Sequence, residues 1–145
     1  MRHAAAVFLI LCIAGCEAPN EIVNPGTLSL PFSVALHVGQ YIRLPQGGFT
    51  ATFDSVTADS RCPLGVDCFW SGDGELQFSV ITNTDVQHPS LVTLHTTLEP
   101  QAIVINGFVV RLRELDPIRS QIGPIDPSSY VAVLEIDRSP TYPTR

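Results

Sequence analysis

The sequence predicts an all-β fold: a single antiparallel β-sandwich or barrel of about eight strands with one small disulfide loop. Three observations support this prediction. Apolar and polar residues alternate with period two along much of the chain, which is typical of strands with one buried face. Short clusters of Gly, Pro and Asn separate these runs. Beyond the first fifteen residues, no stretch keeps a helical period for long.

The alternation is clearest near the two ends of the predicted fold. Phe32, Val34 and Leu36 alternate with small or polar residues, and a similar pattern begins at Tyr130. In chain order, the predicted strands are residues 32–38, 41–44, 49–54, 76–81, 102–105, 108–112 and 130–137. Their short lengths and short connections favour an antiparallel arrangement rather than a parallel sheet with helical crossovers.

Turn-forming residues separate these strands. Asn106-Gly107, with apolar runs on both sides, predicts a tight hairpin. Residues 45–48 predict the turn before the next strand, and residues 72–74 predict the start of the strand that contains Leu76. The longer connection at 116–129 contains three prolines. We expect it to cross from one sheet to the other or to cap an open end.

The N-terminus predicts an export signal with a site for lipid attachment. A short basic start precedes an apolar run at residues 4–13, which is too short to span a bilayer. The run ends in Ile13-Ala14-Gly15-Cys16, which resembles the bacterial lipobox. We therefore predict a lipoprotein signal peptide at 1–15, lipid attachment at Cys16 and a polar, lipidated tether at 16–30. The alternative is an ordinary signal peptide with an incidental cysteine.

The rest of the chain has the size and charge of one acidic domain. We predict a β domain at 31–138 and a C-terminal tail at 139–145. Residues 16–145 contain no Lys, seven Arg and fourteen acids, a net charge of −7. This charge disfavours nucleic acid and anionic lipid surfaces as partners. We expect the lipid to hold the protein in a bacterial cell envelope, at the outer membrane if the cell has one.

The four cysteines reduce to one pair. Cys12 lies in the predicted signal peptide and Cys16 is the predicted lipid acceptor, which leaves Cys62 and Cys68. Two cysteines in an exported protein predict a disulfide. A metal thiolate site is the alternative, but the spacing of five residues lacks the second pair that structural zinc sites use.

The segment around this pair resembles a known signature. Residues 59–72 read DSRCPLGVDCFWSG. They are similar to the pattern D-S-R-C-P-x-x-V-x-C-x-W-x-G of a group of short, uncharacterised bacterial secreted proteins and lipoproteins. Ser71 stands where that group is expected to carry Ala. The resemblance implies a β fold and the Cys62–Cys68 disulfide, and it implies no activity.

No arrangement of residues predicts catalysis or a cofactor. The chain has no G-x-S-x-G motif, and its histidines outside the signal lie on separate segments: His37, His88 and His95. The acids near the cysteines could supply oxygens to calcium, but their spacing matches no loop pattern: Asp59, Asp67, Asp73 and Glu75. We predict that the protein is not an enzyme and has no catalytic residue, no metal site and no cofactor.

Two interpretations of the disulfide segment stay open. In the first, Trp70 packs over the disulfide and closes one end of the core, while Arg61 pairs with Asp59 or caps backbone carbonyls. In the second, the segment is a rigid, exposed loop that meets a partner. The candidate binding residues are then Arg61, Pro63, Leu64, Val66 and Trp70. The first interpretation predicts a buried indole and the second an exposed one.

These observations predict a lipid-anchored envelope protein that acts as a non-catalytic binding or structural module. Its expected partners are the membrane, through the N-terminal lipid, and an envelope protein. The alternative is a protease inhibitor that presents the loop between Cys62 and Cys68 to its target. A secreted hydrolase comes third, because no catalytic constellation supports it.

Overall fold

The computed structural model describes residues 29–120 and 123–140. The predicted signal peptide at 1–15, the lipid site at Cys16, most of the predicted tether and the last five residues lie outside these ranges. The described part of the chain contains no helix with the length and apolar character that a membrane-spanning segment needs.

Eight strands form two four-stranded antiparallel sheets. The strands are β1 (Phe32–His37), β2 (Tyr41–Leu44), β3 (Phe49–Asp59), β4 (Gly74–Thr82), β5 (Asp85–His95), β6 (Ala102–Ile105), β7 (Phe108–Asp116) and β8 (Val131–Arg138). One sheet has the order β2-β3-β4-β5 and the other the order β1-β8-β7-β6. The predicted all-β fold is confirmed. The two sheets do not close on each other, so the fold is a sandwich and not a barrel.

Both sheets contribute to one hydrophobic core. Alternate residues of most strands point inwards, as in Leu76, Phe78 and Val80 of β4. Phe53 and Phe78 stack with their ring centroids 5.2 Å apart. The largest fully buried side chains come from both layers: Leu36, Ile42, Phe53, Leu76, Leu94, Leu134 and Ile136. Each such side chain contributes about 1.5–3 kcal/mol through burial.

Strand β5 is the one element that the sequence pattern does not reveal. Residues 85–91 are all exposed, so this part of the strand has no buried face to impose alternation. Pro89 lies in the same stretch, opposite an irregularity in the pairing between Val80 and Thr82 of β4. Proline is found in edge strands and at bulges because it has no N–H to donate to a neighbouring strand. The position of Pro89 is consistent with this rule, because β5 is the edge strand of its sheet.

The two ends of the sandwich differ in their connections. At the end that we call the disulfide end there are four connections: three longer ones at residues 60–73, 96–101 and 117–130, and a short one at 38–40 after β1. At the opposite end, which we call the turn end, the connections are residues 45–48, 83–84 and 106–107. The chain also enters β1 at the turn end, because Phe32 pairs with Ile136 and Phe108 with Arg138. The polypeptide thus joins the domain at the end opposite the disulfide.

The long connection before β8 does not cross between sheets. Its flanking strands, β7 and β8, are neighbours in one sheet, so of the two predicted alternatives the crossing is wrong and the capping of an open end is left. The connections that do change sheet follow β1 and β5. The prolines at this position belong to a loop that lies over the disulfide end, where Arg119 donates to the carbonyl oxygen of Asp59 (2.9 Å). The loop is long because it covers this end.

The Asn106-Gly107 hairpin forms as predicted. Both residues have positive φ, 49° and 84°, which is the geometry that a two-residue turn between twisted strands requires. The Asn106 side chain also donates to the carbonyl oxygen of Gly47 at 2.9 Å. This bond links the two sheets at the turn end.

Candidate functional site

The disulfide segment leaves β3 and β4 through a narrow, hydrogen-bonded neck. The N–H of Ser60 donates to the Asp73 carbonyl oxygen (2.7 Å) and that of Cys62 to the Ser71 carbonyl oxygen (2.8 Å). Gly72 lies between these bonds with φ of 71°. A Cβ atom added at Gly72 would lie 1.9 Å from the carbonyl oxygen of Ser60. Only glycine allows the two sides of the neck to approach this closely.

The disulfide closes the loop beyond the neck. Cys62 and Cys68 are bonded with their Cα atoms 6.0 Å apart, which confirms the predicted bridge. Inside the bridge the chain makes a tight turn, in which the N–H of Val66 donates to the carbonyl oxygen of Pro63 (3.2 Å). Gly65 has φ of 80°, at the position where a type II turn requires a positive value. The turn carries Leu64 at its tip.

Arg61 and Asp59 form an ion pair beneath the loop. The Arg61 guanidinium donates to both carboxylate oxygens of Asp59, at 2.9 and 2.8 Å. It also donates to the carbonyl oxygens of Leu115, near the end of β7, and of Pro117, on the connection that follows. The hydroxyl of Tyr130 donates to the same carboxylate at 3.0 Å. The prediction that Arg61 pairs with Asp59 or caps backbone carbonyls is confirmed, because Arg61 makes both kinds of contact.

This pair is largely buried, and its hydrogen bonds decide the direction in which the pKa of Asp59 is shifted. The side chains of Arg61 and Asp59 are 15% and 8% exposed. Burial raises the pKa of Asp59, but the hydrogen bonds and the charge of Arg61 outweigh that effect and lower the pKa below its usual value. Burial and the Asp59 carboxylate raise the pKa of Tyr130. Arg61 therefore supports the loop from within, and its guanidinium does not face solvent as a binding contact.

Arg119 ties the long connection to the disulfide segment. Its guanidinium donates to the carbonyl oxygens of Asp59 and Arg61 at 2.9 and 3.3 Å. Its own carbonyl oxygen accepts from the N–H of Leu64 at 2.6 Å. Ile118, the residue before Arg119, shares a cleft with Arg61 and Cys62 of the disulfide segment. Two separate connections thus meet at the disulfide end.

Asp73 ties the third connection to the same segment. Its carboxylate accepts from His95 Nδ1 (2.6 Å), the Thr97 N–H (2.9 Å) and the Thr96 hydroxyl (3.1 Å). The N–H of Leu98 donates to it at 3.4 Å. Burial raises the pKa of Asp73, but the hydrogen bonds from His95, Thr97 and Leu98 lower it far below its usual value. The carboxylate therefore holds Leu98 next to the neck.

The apolar side chains on these connections face solvent. Phe69 is 97% exposed, Leu64 72% and Trp70 71%. Of the nine large hydrophobic side chains that are exposed in the described ranges, six lie at the disulfide end. We call these six the apolar tip: Leu64, Val66, Phe69, Trp70, Leu98 and Ile118. Most of the exposed large apolar side chains are thus carried by three connections that hydrogen bonds join at one end, whereas exposed apolar residues scattered singly need no explanation.

The prediction that Trp70 packs over the disulfide is wrong. The indole is 71% exposed and so does not close the core. The buried groups of this segment are instead the Arg61 guanidinium and the Asp59 carboxylate, to which the Tyr130 hydroxyl donates. Trp70 instead makes an edge-to-face contact with Phe69, with ring centroids 5.5 Å apart. The buried side chains where the disulfide segment leaves the sheet are therefore polar ones, joined by an ion pair and hydrogen bonds.

Three residues of the apolar tip are absent from the sequence-based candidates. Phe69 occupies a variable position in the resembled signature, although Phe69-Trp70 is the one pair of adjacent aromatic residues in the chain and could have signalled the site. Leu98 and Ile118 are isolated apolar residues in polar connections. Nothing in the sequence shows that Asp73 and Arg119 bring them to the disulfide segment.

The candidate chemical residues do not converge. In residues 29–120 and 123–140, no group of three His, Cys, Asp or Glu side chains is placed to hold a metal ion. His88 pairs with exposed Asp85, and His95 pairs with Asp73. The Ser60 hydroxyl donates to the Asp73 carbonyl oxygen at 3.1 Å, within the neck.

No family model, curated protein or solved structure matches this chain.

Proposed function

We propose that this protein is a lipid-anchored component of a bacterial cell envelope that acts as a non-catalytic binding module through its apolar tip. The observation that carries the proposal is the concentration of exposed apolar side chains on three connections at one end. Leaving Leu64, Phe69 and Trp70 in water has no benefit for the folding of the domain, because burial of such side chains is what stabilises a fold. Contact with a partner would supply that burial.

The frame beneath the apolar tip supports this role. Backbone bonds close the neck, the disulfide closes the loop, and Arg119 and Asp73 join the neighbouring connections to it. A loop that is already fixed loses less conformational entropy on binding than a mobile loop does. The ion pair of Arg61 with Asp59 therefore serves binding indirectly, by fixing the backbone that carries Leu64 and Trp70.

The direction of the chain also supports a contact away from the anchoring membrane. The polypeptide enters β1 at the turn end, and the apolar tip lies at the disulfide end. A lipid at Cys16 would connect to residue 29 through a segment that spans at most about 45 Å when fully extended. An anchored domain can thus direct its turn end to the membrane and its apolar tip to the envelope space.

Site-specific crosslinking in cells tests the binding role. A photoreactive phenylalanine analogue at Phe69 should form a discrete adduct with an envelope component. The same analogue at Leu91, which is 68% exposed on β5, is the control and should form none. Equal adducts from both positions, or none from position 69, would contradict the proposal.

A separate experiment tests the anchor. Cys16→Ala should abolish incorporation of a fatty-acid analogue and should release the protein from the membrane fraction. Labelling that persists in this variant would exclude Cys16 as the site of acylation.

A protease inhibitor is the second candidate. The exposed, disulfide-closed loop with Leu64 at its tip favours it. A protease binds its target segment in an extended conformation, however, and the bond from the Val66 N–H to the Pro63 carbonyl oxygen bends this segment into a turn. Dose-dependent loss of activity in a panel of leucine-accepting proteases, reversed by Leu64→Asp, would favour the inhibitor over the binding module.

A further inference from the structure

We propose that the apolar tip binds a cationic amphipathic polypeptide, one that presents apolar side chains to Phe69 and Trp70 and Lys or Arg side chains to the acids around them. The inference rests on the proposed binding function and names the chemistry of its partner. It follows from the charges that surround the apolar tip and from the aromatic faces that the tip exposes.

The free charges around the apolar tip are negative. Asp67 lies within the disulfide loop, Glu99 follows Leu98, and Glu114 lines a shallow cleft of about 230 Å³ beside Ile118. All three are exposed. In the described ranges, no salt bridge neutralises any of them. A partner that covers the apolar tip must therefore approach three carboxylates.

The positive groups at this end are already engaged. Arg61 is paired with Asp59, and Arg113 is paired with Glu135 at 2.5 Å. Arg119 donates inwards to two backbone carbonyl oxygens. The chain has no Lys and a formal net charge of −6. The apolar tip therefore lies in a negative field that attracts cationic partners and repels acidic ones.

The aromatic side chains favour the same partner. Phe69 and Trp70 meet edge to face and leave most of their ring surfaces in solvent. The face of an aromatic ring carries partial negative charge, and indole attracts Lys and Arg more strongly than the other rings do. A Lys or Arg side chain can also cover a ring with its aliphatic stem while its charge reaches a carboxylate such as Asp67.

The same charges disfavour the other surfaces that an apolar tip could meet. Anionic lipid headgroups and nucleic acid are repelled by uncompensated acids. A purely apolar partner would gain nothing from the carboxylates and would cover charges without compensating them. A polypeptide that combines apolar and basic residues can cover the apolar side chains and also pair with the carboxylates.

The chain carries its own reporter for the test. Trp70 is the single tryptophan, so its emission reports directly on the apolar tip. The experiment uses the full chain with Cys16→Ala, which removes the lipid site, and three synthetic peptides without aromatic residues. One peptide alternates Leu and Lys, one alternates Leu and Glu, and one alternates Ser and Lys. Vesicles of phosphatidylcholine and of phosphatidylglycerol serve as further probes.

We expect the Leu/Lys peptide alone to shift the Trp70 emission to shorter wavelength, in a saturable manner. Removing two charges with Asp67→Asn and Glu114→Gln should weaken this binding about tenfold, an effect typical of interfacial charges. Asp85→Asn with Asp137→Asn removes the same charge at the turn end and should change binding less than about twofold. Phe69→Ser should abolish the shift, whereas Leu91→Ser should leave it unchanged.

The outcomes separate the partner chemistry from the binding function itself. An equal response to the Leu/Lys and Leu/Glu peptides would overturn the cationic partner while the proposed binding function stands. A response to phosphatidylcholine vesicles but to no peptide would assign the apolar tip to a membrane and overturn this inference. Absence of any response, together with the absence of an adduct from position 69 in cells, would overturn both proposals.

Discussion

The turn end and the disulfide end of this sandwich differ in how the backbone polar groups of their connections are paired. At the turn end, short connections pair their backbone groups through backbone bonds, such as that from the Asn83 N–H to the Gly48 carbonyl oxygen (2.8 Å), and through one neutral side chain, Asn106. At the disulfide end, the connections are longer, and charged side chains satisfy the backbone carbonyls of Leu115, Pro117 and Asp59.

The difference shows what a long connection requires. A short turn has few backbone N–H and carbonyl groups, and the turn itself brings them into hydrogen bonds with one another. A long loop has many, and each one that is removed from water needs a partner. Arg61, Arg119 and Asp73 supply those partners at the disulfide end. These bonds fix the backbone of the connections that carry the apolar tip. The short connections of the turn end, all within the described ranges, carry no such group of side chains.

The largest expected effect follows from breaking the ion pair at the disulfide end. Asp59→Ala leaves the partly buried Arg61 guanidinium without its carboxylate and should lower the free energy of unfolding by about 3–5 kcal/mol. At the turn end, Asn106→Gly removes a side-chain donor but keeps a residue that accepts positive φ, and should cost about 1 kcal/mol. Urea unfolding measures both. Equal losses would show that the two ends are not stabilised differently.

A pair of glycines sharpens the comparison within the disulfide segment. Gly72 and Gly65 both have positive φ, but an added Cβ meets the Ser60 carbonyl oxygen at Gly72 and nothing within 4 Å at Gly65. Gly72→Ala should therefore cost about 3 kcal/mol or more, from backbone strain and overpacking together. Gly65→Ala should cost about 1–2 kcal/mol, from strain alone. If thermal unfolding gives equal losses, the neck is not as tight as described.

The acid response should also originate at the disulfide end. The folded pKa values of Asp59 and Asp73 lie below the ordinary value of 3.8. Their contribution to stability is complete above the unfolded pKa and is lost as the pH falls through the folded pKa. Asp73→Asn should lower stability by about 1.5–3 kcal/mol at neutral pH. It should also flatten the decline of stability below about pH 4, and an unchanged acid profile would argue against this role.

The smallest effect is expected at the most prominent side chain. Because Trp70 is exposed, Trp70→Ala should change the free energy of unfolding by less than about 0.5 kcal/mol, as substitutions at exposed sites usually do. The emission of the wild-type protein should resemble that of tryptophan in water. A blue-shifted spectrum together with a loss of several kcal/mol would restore the interpretation in which Trp70 closes the core.

Most of the fold could be predicted from the sequence because its strands have one buried face. Alternation located β1 and β8 closely, and Asn106-Gly107 specified its hairpin. β3 was predicted to end at residue 54 but continues to Asp59, because irregular pairing after Phe53 interrupts the alternation. β5 was missed because residues 85–91 have no buried side. Alternation of apolar and polar residues appears in the sequence only where a strand is paired regularly and has one buried face.

The site was less predictable because it depends on contacts between distant segments. The disulfide follows from the cysteine count, and the Arg61–Asp59 pair from proximity in sequence. The surroundings of the Arg61–Asp59 pair depend on residues far away in sequence, since Tyr130, whose hydroxyl donates to the Asp59 carboxylate, is 71 residues away from Asp59. The contributions of Leu98 and Ile118 likewise depend on bonds that join three connections.

Pro89 has a consequence for how copies of this protein behave side by side. If the proposed lipid anchor holds these molecules on one surface, they meet at high local concentration, which is the condition in which exposed sheet edges template aggregation. A proline and irregular pairing are two of the features by which natural edge strands resist such templating, and β5 has both between Asp85 and Ser90. The domain can therefore crowd its neighbours while this edge resists the growth of an intermolecular sheet.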